Sequence, residues 1–130
     1  MVTADQLLAH AVGDYVIQSD WMAREKTRNW LVALVHAATY SLPFLLLGPS
    51  RVALAVIVLS HAVIDRLRLA RYVCWAKNQA FGAKTDRRPF AECAATGYAP
   101  ERPQWMTVWL LIVADNVMHV LINAAALRWF

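Results

Sequence analysis

Residues 105–127, WMTVWLLIVADNVMHVLINAAAL, decide what kind of protein this is. The run carries one formal charge, Asp115. It exceeds the roughly 20 residues that take a helix, at ~1.5 Å per residue, across a ~30 Å hydrocarbon layer. A second block, residues 30–47 (WLVALVHAATYSLPFLLL), has no formal charge and is slightly short. A third, residues 52–64 (VALAVIVLSHAVI), reaches membrane length only by running on into the Arg66–Arg71 stretch. Hydrophobic residues make up 59% of the 130 and charged residues 17%, where soluble domains average about 25% charged. The apolar residues come in blocks rather than in alternation, so the expected class is all-α and membrane-integral.

Residues 3–20 supply a fourth helix by periodicity. Leu7, Leu8, Ala11, Val12, Tyr15 and Val16 form one stripe, and Asp5, His10, Asp14 and Gln18 the other face. That polar face suits a span only if it points into a bundle; the alternative is a helix lying along the interface. The expectation is a four-helix membrane bundle in a single domain, residues 1–130. Its helices cover about 3–20, 29–47, 51–73 and 105–128, with a polar, basic loop over 74–104. The N-terminus lacks the basic-then-apolar pattern of a cleavable signal peptide. Cys74 and Cys93 form no C-x-x-C pair and read as reduced thiols.

Charge sets the expected orientation. Eleven of the thirteen basic residues fall in two connections: Arg24, Lys26 and Arg28 in the first, and Arg66 through Arg102 in the second. Four antiparallel spans put both connections on one face, which the positive-inside rule assigns to the cytoplasm of an inner membrane, with both termini outside. The bilayer is then the first partner. The basic loop also suits an anionic lipid headgroup or a nucleotide, with no specific nucleic acid. A homo-oligomer is the way so narrow a bundle would build a conduction path. Tryptophans near the predicted ends fit an interfacial belt.

The chemistry lies inside the helices. Each predicted helix holds one histidine: His10, His36, His61 and His119. Three have an aspartate at four-residue spacing, His10 with Asp14, His61 with Asp65 and Asp115 with His119; His36 has Tyr40. Residues i and i+4 share a helix face, so each pair points one way. At ~1.5 Å per residue from the cytoplasmic ends, the groups sit at depths from ~9 Å to ~21 Å, one layer in the cytoplasmic half. Imidazole and carboxylate are the usual ligands of zinc, manganese and non-haem iron. Three chemistries fit: a metal site first, a proton or ion relay second, a metal-free polar network third. A lone buried histidine is ordinarily a hydrogen-bonding residue, and it is the repetition that favours ligation.

The expected ligands are His10, Asp14, His36, His61, Asp65, Asp115 and His119. They exceed one tetrahedral shell, so either two ions bind or some carboxylates serve as base. The expected ion is zinc, with manganese or iron as the other choices. Asp14 and Asp115 are the candidate catalytic bases. Gln18, Tyr40 and Asn116 are expected to orient ligands, with Asp20 and Asn123 as further polar groups. Ser41 and Ser60 are expected to bond back to their own helices, and Arg66 to snorkel to the interface. The first functional expectation is a metal-dependent hydrolase acting on an anionic, phosphoester-type substrate near the cytoplasmic face. Its rival is a non-enzymatic membrane protein with a His/Asp relay or a structural metal, serving to bind a partner.

The segments LLAHAVGDYVIQSDWMAREK (7–26), HAATY (36–40), SHAVIDRLRLARY (60–72) and DNVMH (115–119) resemble a domain-of-unknown-function family of small bacterial and phage inner-membrane proteins. The resemblance covers most of the chain outside residues 75–104. It implies importance for His10, Gly13, Asp14, Gln18, Trp21, His36, Tyr40, His61, Asp65, Asp115 and His119. Asn116 stands where the family pattern has glutamine. A more distant likeness is to membrane-bound metal-dependent hydrolases, an analogy of helix-borne His and Asp.

Overall fold

Thr3 starts the first helix. Its hydroxyl accepts from the Gln6 amide while the Gln6 side chain accepts from the Thr3 amide, a reciprocal cap. In the computed structural model, which describes residues 1–130 apart from the side chain of Asp86, helix α1 (Ala4–Ala11) does not run on to residue 20 as an α-helix. It widens into a π-helical stretch, Val12–Ile17, and stops at Gln18. Gly13 sits in that stretch against the end of α3 (Trp30–Tyr40). A Cβ there would come within 2.5 Å of Tyr40 Cδ2 and 2.7 Å of the Tyr40 carbonyl oxygen. Only glycine permits this approach. Ser19 then caps a short α2 (Asp20–Glu25) by accepting from the Met22 amide.

Helix α3 gives way after Tyr40 to a 3₁₀ segment, Leu42–Leu47. Pro43 has no amide hydrogen, so the α-helical ladder cannot continue through it. Gly48, at φ +64°, ends the segment in the left-handed conformation open to glycine. Helix α4 follows over Arg51–Leu67. The expected helix to residue 73 breaks at Arg68, whose φ of 52° is outside the helical range; its guanidinium donates to the Ala95 carbonyl. Helix α5 (Ala70–Phe81) restarts after it, α6 is Phe90–Cys93, and α7 runs unbroken over Gln104–Trp129. No strand occurs among the described residues.

The chain forms two compact units, residues 1–67 with 118–130, and residues 68–117. In the first, Ala9, Tyr40, Phe44, Ile57 and Ala126 make the apolar core. Small buried residues (Ala33, Ala37, Ala53, Ala62) let the backbones of α3 and α4 approach closely. The polarity of this unit is inverted. His10, Asp14, His36, His61, Asp65 and His119 are inside, while Leu8, Val16, Leu31, Leu46, Leu59 and Leu121 face out. The apolar stripe of the first helix is thus its outer surface.

The second unit gives the expected loop a structure of its own. Tyr72 of α5 stacks on Phe90 of α6 at 4.4 Å, and both the Trp75 indole and the Gln79 amide donate to the Arg88 carbonyl. Cys74 and Cys93 are buried free thiols. Burial pushes both above the ordinary thiol range, and the charge of Asp115 adds to the effect at Cys74.

Two helical segments are long and apolar enough to cross a membrane: Trp30–Leu47, counted through its 3₁₀ end, with mean hydropathy 1.7, and Gln104–Trp129, with 1.8. The other two expected spans are shorter than foreseen. The break at Gln18 limits one, and the break at Arg68 leaves α4 17 residues, about 25 Å at 1.5 Å per residue.

Candidate metal centre

Asp14, from the π-helical stretch, enters the first unit beside His36 of α3, and His61 and Asp65 of α4. The Nε2 atoms of His36 and His61 lie 3.0 Å apart. Asp14 Oδ1 is 3.2 Å from the first and 3.4 Å from the second. Asp65 Oδ2 is 3.4 Å and 3.1 Å from the same two atoms. The two nitrogens therefore form an edge with a carboxylate oxygen closing a triangle on each side. Donors of a four-coordinate ion bound at ~2.0–2.2 Å lie about 3.3–3.6 Å apart, so each triangle is close to one face of such a shell, slightly contracted.

His119, from α7, adds a second grouping with His61 and Asp65. Its Nε2 is 3.5 Å from Asp65 Oδ1, leaving Oδ2 to face His36 and His61. Tyr40, His61 and His119 stack in sequence, at centroid separations of 3.7 Å and 4.0 Å. The stack fixes the plane of the His61 ring, whose Nδ1 is buried without a hydrogen bond. His36, His61, His119 and the two aspartates are all buried. These buried His/Asp groups can hold a metal ion.

His10 stands one step back. Its Nδ1 shares a 2.8 Å hydrogen bond with the Tyr40 hydroxyl and is 3.6 Å from Asp14 Oδ2. Asn123 Nδ2 donates to the same hydroxyl at 2.6 Å. With Tyr40 Oη accepting from Asn123, its own proton is available to His10 Nδ1, which joins Asn123, Tyr40 and His10 across three helices. Tyr40 and Asn123 therefore meet at one hydroxyl beside His10.

The other expected residues lie outside the two His/Asp groupings. Asp115 belongs to the second unit and to neither His/Asp grouping; its charge is felt by the Cys74 thiol. Asn116 donates to the Ile112 carbonyl one turn back. Gln18 caps the π-helical stretch with its Oε1 buried and no hydrogen bond made to it. Asp20 pairs with Arg24 at the exposed start of α2. Ser41 and Ser60 bond back to the carbonyls of Ala38 and Ile57, as expected.

One residue of the site went unread. Lys26, counted in the sequence as a topology charge, brings Nζ to 2.9 Å from Asp65 Oδ2 and 3.2 Å from His36 Nε2. Arg66 is likewise not simply at the interface. It donates to the Thr27 carbonyl and lies 5.3 Å over the Trp30 ring, holding the segment that carries Lys26 against α4. A lysine just past the end of a short helix gives no periodic signal, so spacing could not have found it.

No curated protein and no solved structure matches the chain. A family match extends over residues 2–129, and the chain belongs to the family described as Protein of unknown function (DUF3307).

Proposed function

We propose that this protein is a membrane-embedded metal-binding protein that hydrolyses an anionic, phosphoester-type substrate near the cytoplasmic face. The observation that carries the reading is the convergence of two imidazole Nε2 atoms and two carboxylate oxygens at 3.0–3.4 Å. Two buried carboxylates with one ammonium, paired to Asp65, leave a formal charge of −1 in a low-dielectric interior, an unfavourable arrangement unless a cation is taken up. A divalent ion supplies a water of lowered pKa and polarises the scissile bond. Zinc suits the nitrogen and oxygen donors best, and manganese or iron are the alternatives.

The chain's own residues divide the remaining work. His36 and His61 present Nε2, with the His61 ring held by stacking. Asp65 presents one oxygen to them and the other to His119. Asp14, with a side chain 9% exposed against 3% for Asp65, is the carboxylate nearest the outside and the candidate proton acceptor. His10, held by the Tyr40 hydroxyl, lies 3.6 Å from it.

The inverted polarity of the first unit supports a bilayer environment. Leucines and valines face out and ionisable groups face in, as lipid requires. In this reading Ala4–Ile17 and Arg51–Leu67 also lie in the membrane, completing four helices, with the basic segments cytoplasmic and an anionic lipid headgroup or nucleotide approaching from that side.

A second reading has its own observation. Asp14, His61, His36 and Asp65 meet at the two Nε2 atoms by contacts short enough for a proton to pass from one carboxylate to the other. A relay would work without metal.

The discriminating assay uses the detergent-purified protein loaded with zinc or manganese and a chromogenic phosphodiester. Turnover that is lost with a chelator and with Asp14→Asn supports the hydrolase. A fully metal-loaded protein inactive on phosphomonoesters, phosphodiesters and lipid phosphoesters contradicts it.

A further inference from the structure

Lys26 occupies a position that a metal centre would not be expected to tolerate. Its Nζ contacts Asp65 Oδ2 and His36 Nε2, two of the atoms that would hold the ion. Its side chain is 16% exposed, where Asp65 is 3% and His36 is fully buried, so it enters from the more open side. The residue is also the C-cap of α2, followed by a turn rather than by a packed helix. The main chain beside it is anchored at Thr27 by Arg66, while the lysine side chain itself is a flexible stem.

Charge counting gives the ammonium a defined place. Asp14 and Asp65 together carry two negative charges, which a divalent ion balances by itself. Lys26 then becomes the surplus positive charge, and it cannot share Asp65 Oδ2 with an ion bound at ~2.0–2.2 Å without severe repulsion. We infer that Lys26 is a resident cation that exchanges with the metal at Asp65, and that once displaced it forms, beside the ion, the binding position for an anionic group such as phosphate. The inference rests on the metal-centre reading above and adds to it a route for cation entry and a recognition element for the substrate's charge. An ammonium that pairs with Asp65 in the ion's absence also explains how the buried layer folds before it is loaded.

The test compares wild type, Lys26→Met and Lys26→Arg in detergent. Zinc affinity is measured by chelator competition, and binding of inorganic phosphate to the zinc-loaded proteins by calorimetry. Removing one competing charge at a part-buried site should tighten zinc binding about tenfold in the Met variant, with the Arg variant close to wild type. Zinc-loaded Met protein should bind phosphate about tenfold more weakly than zinc-loaded wild type, and the Arg variant should retain it. If the Met variant folds only with zinc present, the rate of zinc release from the loaded proteins is read instead, and slower release than wild type is expected. Zinc bound by the Met variant but not by wild type is the same exchange in its strongest form. Equal or weaker zinc binding by the Met variant, or unchanged phosphate binding, overturns the exchange while leaving the metal centre standing. Zinc binding by none of the three overturns the metal centre and the exchange together.

Discussion

His36 and His61, on neighbouring helices, aim Nε2 at each other across 3.0 Å. Two neutral imidazoles can share one proton at that distance, but each nitrogen also meets two carboxylate oxygens within 3.4 Å. Buried acceptors converge there, and the Lys26 ammonium, 2.9 Å from Asp65 Oδ2, places a cation beside them.

Gly13 is where the first helix touches Tyr40, so Gly13→Ala should be disproportionately costly. The added methyl meets both the ring and the carbonyl of Tyr40. Overpacking of this kind costs about 1–3 kcal/mol, and the displaced stretch carries Asp14. Thermal unfolding should show the loss, and metal content should fall with it; a variant as stable as wild type would argue against the close approach.

Tyr40→Phe removes the hydroxyl between His10 and Asn123 while keeping the ring that stacks on His61. Two buried polar groups lose their shared partner, worth about 1–3 kcal/mol. Metal affinity should drop by about 10- to 100-fold, the usual effect of removing a group that orients a ligand. Chelator competition reads the affinity, and unfolding midpoints read the stability.

Leu121 is an exposed leucine on the hydrophobic helix Gln104–Trp129. On a water-facing surface Leu121→Asp would change stability by within about 0.5 kcal/mol. Facing lipid, an aspartate near a helix centre costs about 3 kcal/mol. Carbonate-resistant membrane recovery of the variant should fall sharply. Recovery equal to wild type in the soluble fraction of both would contradict the membrane assignment.

Cys74 and Cys93 are buried, and their thiols are pushed above the ordinary range. A raised thiol pKa lowers the thiolate fraction at pH 7.5, and the fraction grows as pH rises. Alkylation of the folded protein should therefore be at least about tenfold slower than after denaturation, and should speed up toward pH 9. Mass spectrometry of the labelled protein checks both.

The unbroken apolar run of residues 105–127 and the i,i+4 spacing of His10–Asp14 and His61–Asp65 were legible because each rests on a periodicity that the helix itself imposes. The breaks were not. The π-helical widening at Val12 depends on how closely Gly13 nears Tyr40, and the stop at Leu67 on a left-handed Arg68; both are tertiary facts at positions a helical pattern simply runs through. Asp115 and His119 share the spacing of the other pairs, yet the structure assigns them to different units, because spacing gives a common face but not which neighbour that face meets. Lys26 was hidden for the opposite reason. Its position in a basic connection already had a sufficient explanation in topology.

The metal centre is read directly by counting metal ions per chain, by mass spectrometry, in protein purified without a histidine tag or chelator. Wild type should hold about one equivalent of zinc, manganese or iron, as a site of this donor set holds, retained in Asp115→Ala and lost in His61→Ala and Asp65→Asn. Well-folded wild type and Lys26→Met that both hold no stoichiometric metal, before and after incubation with these ions, would contradict the metal centre and leave the buried histidines and aspartates as a proton path.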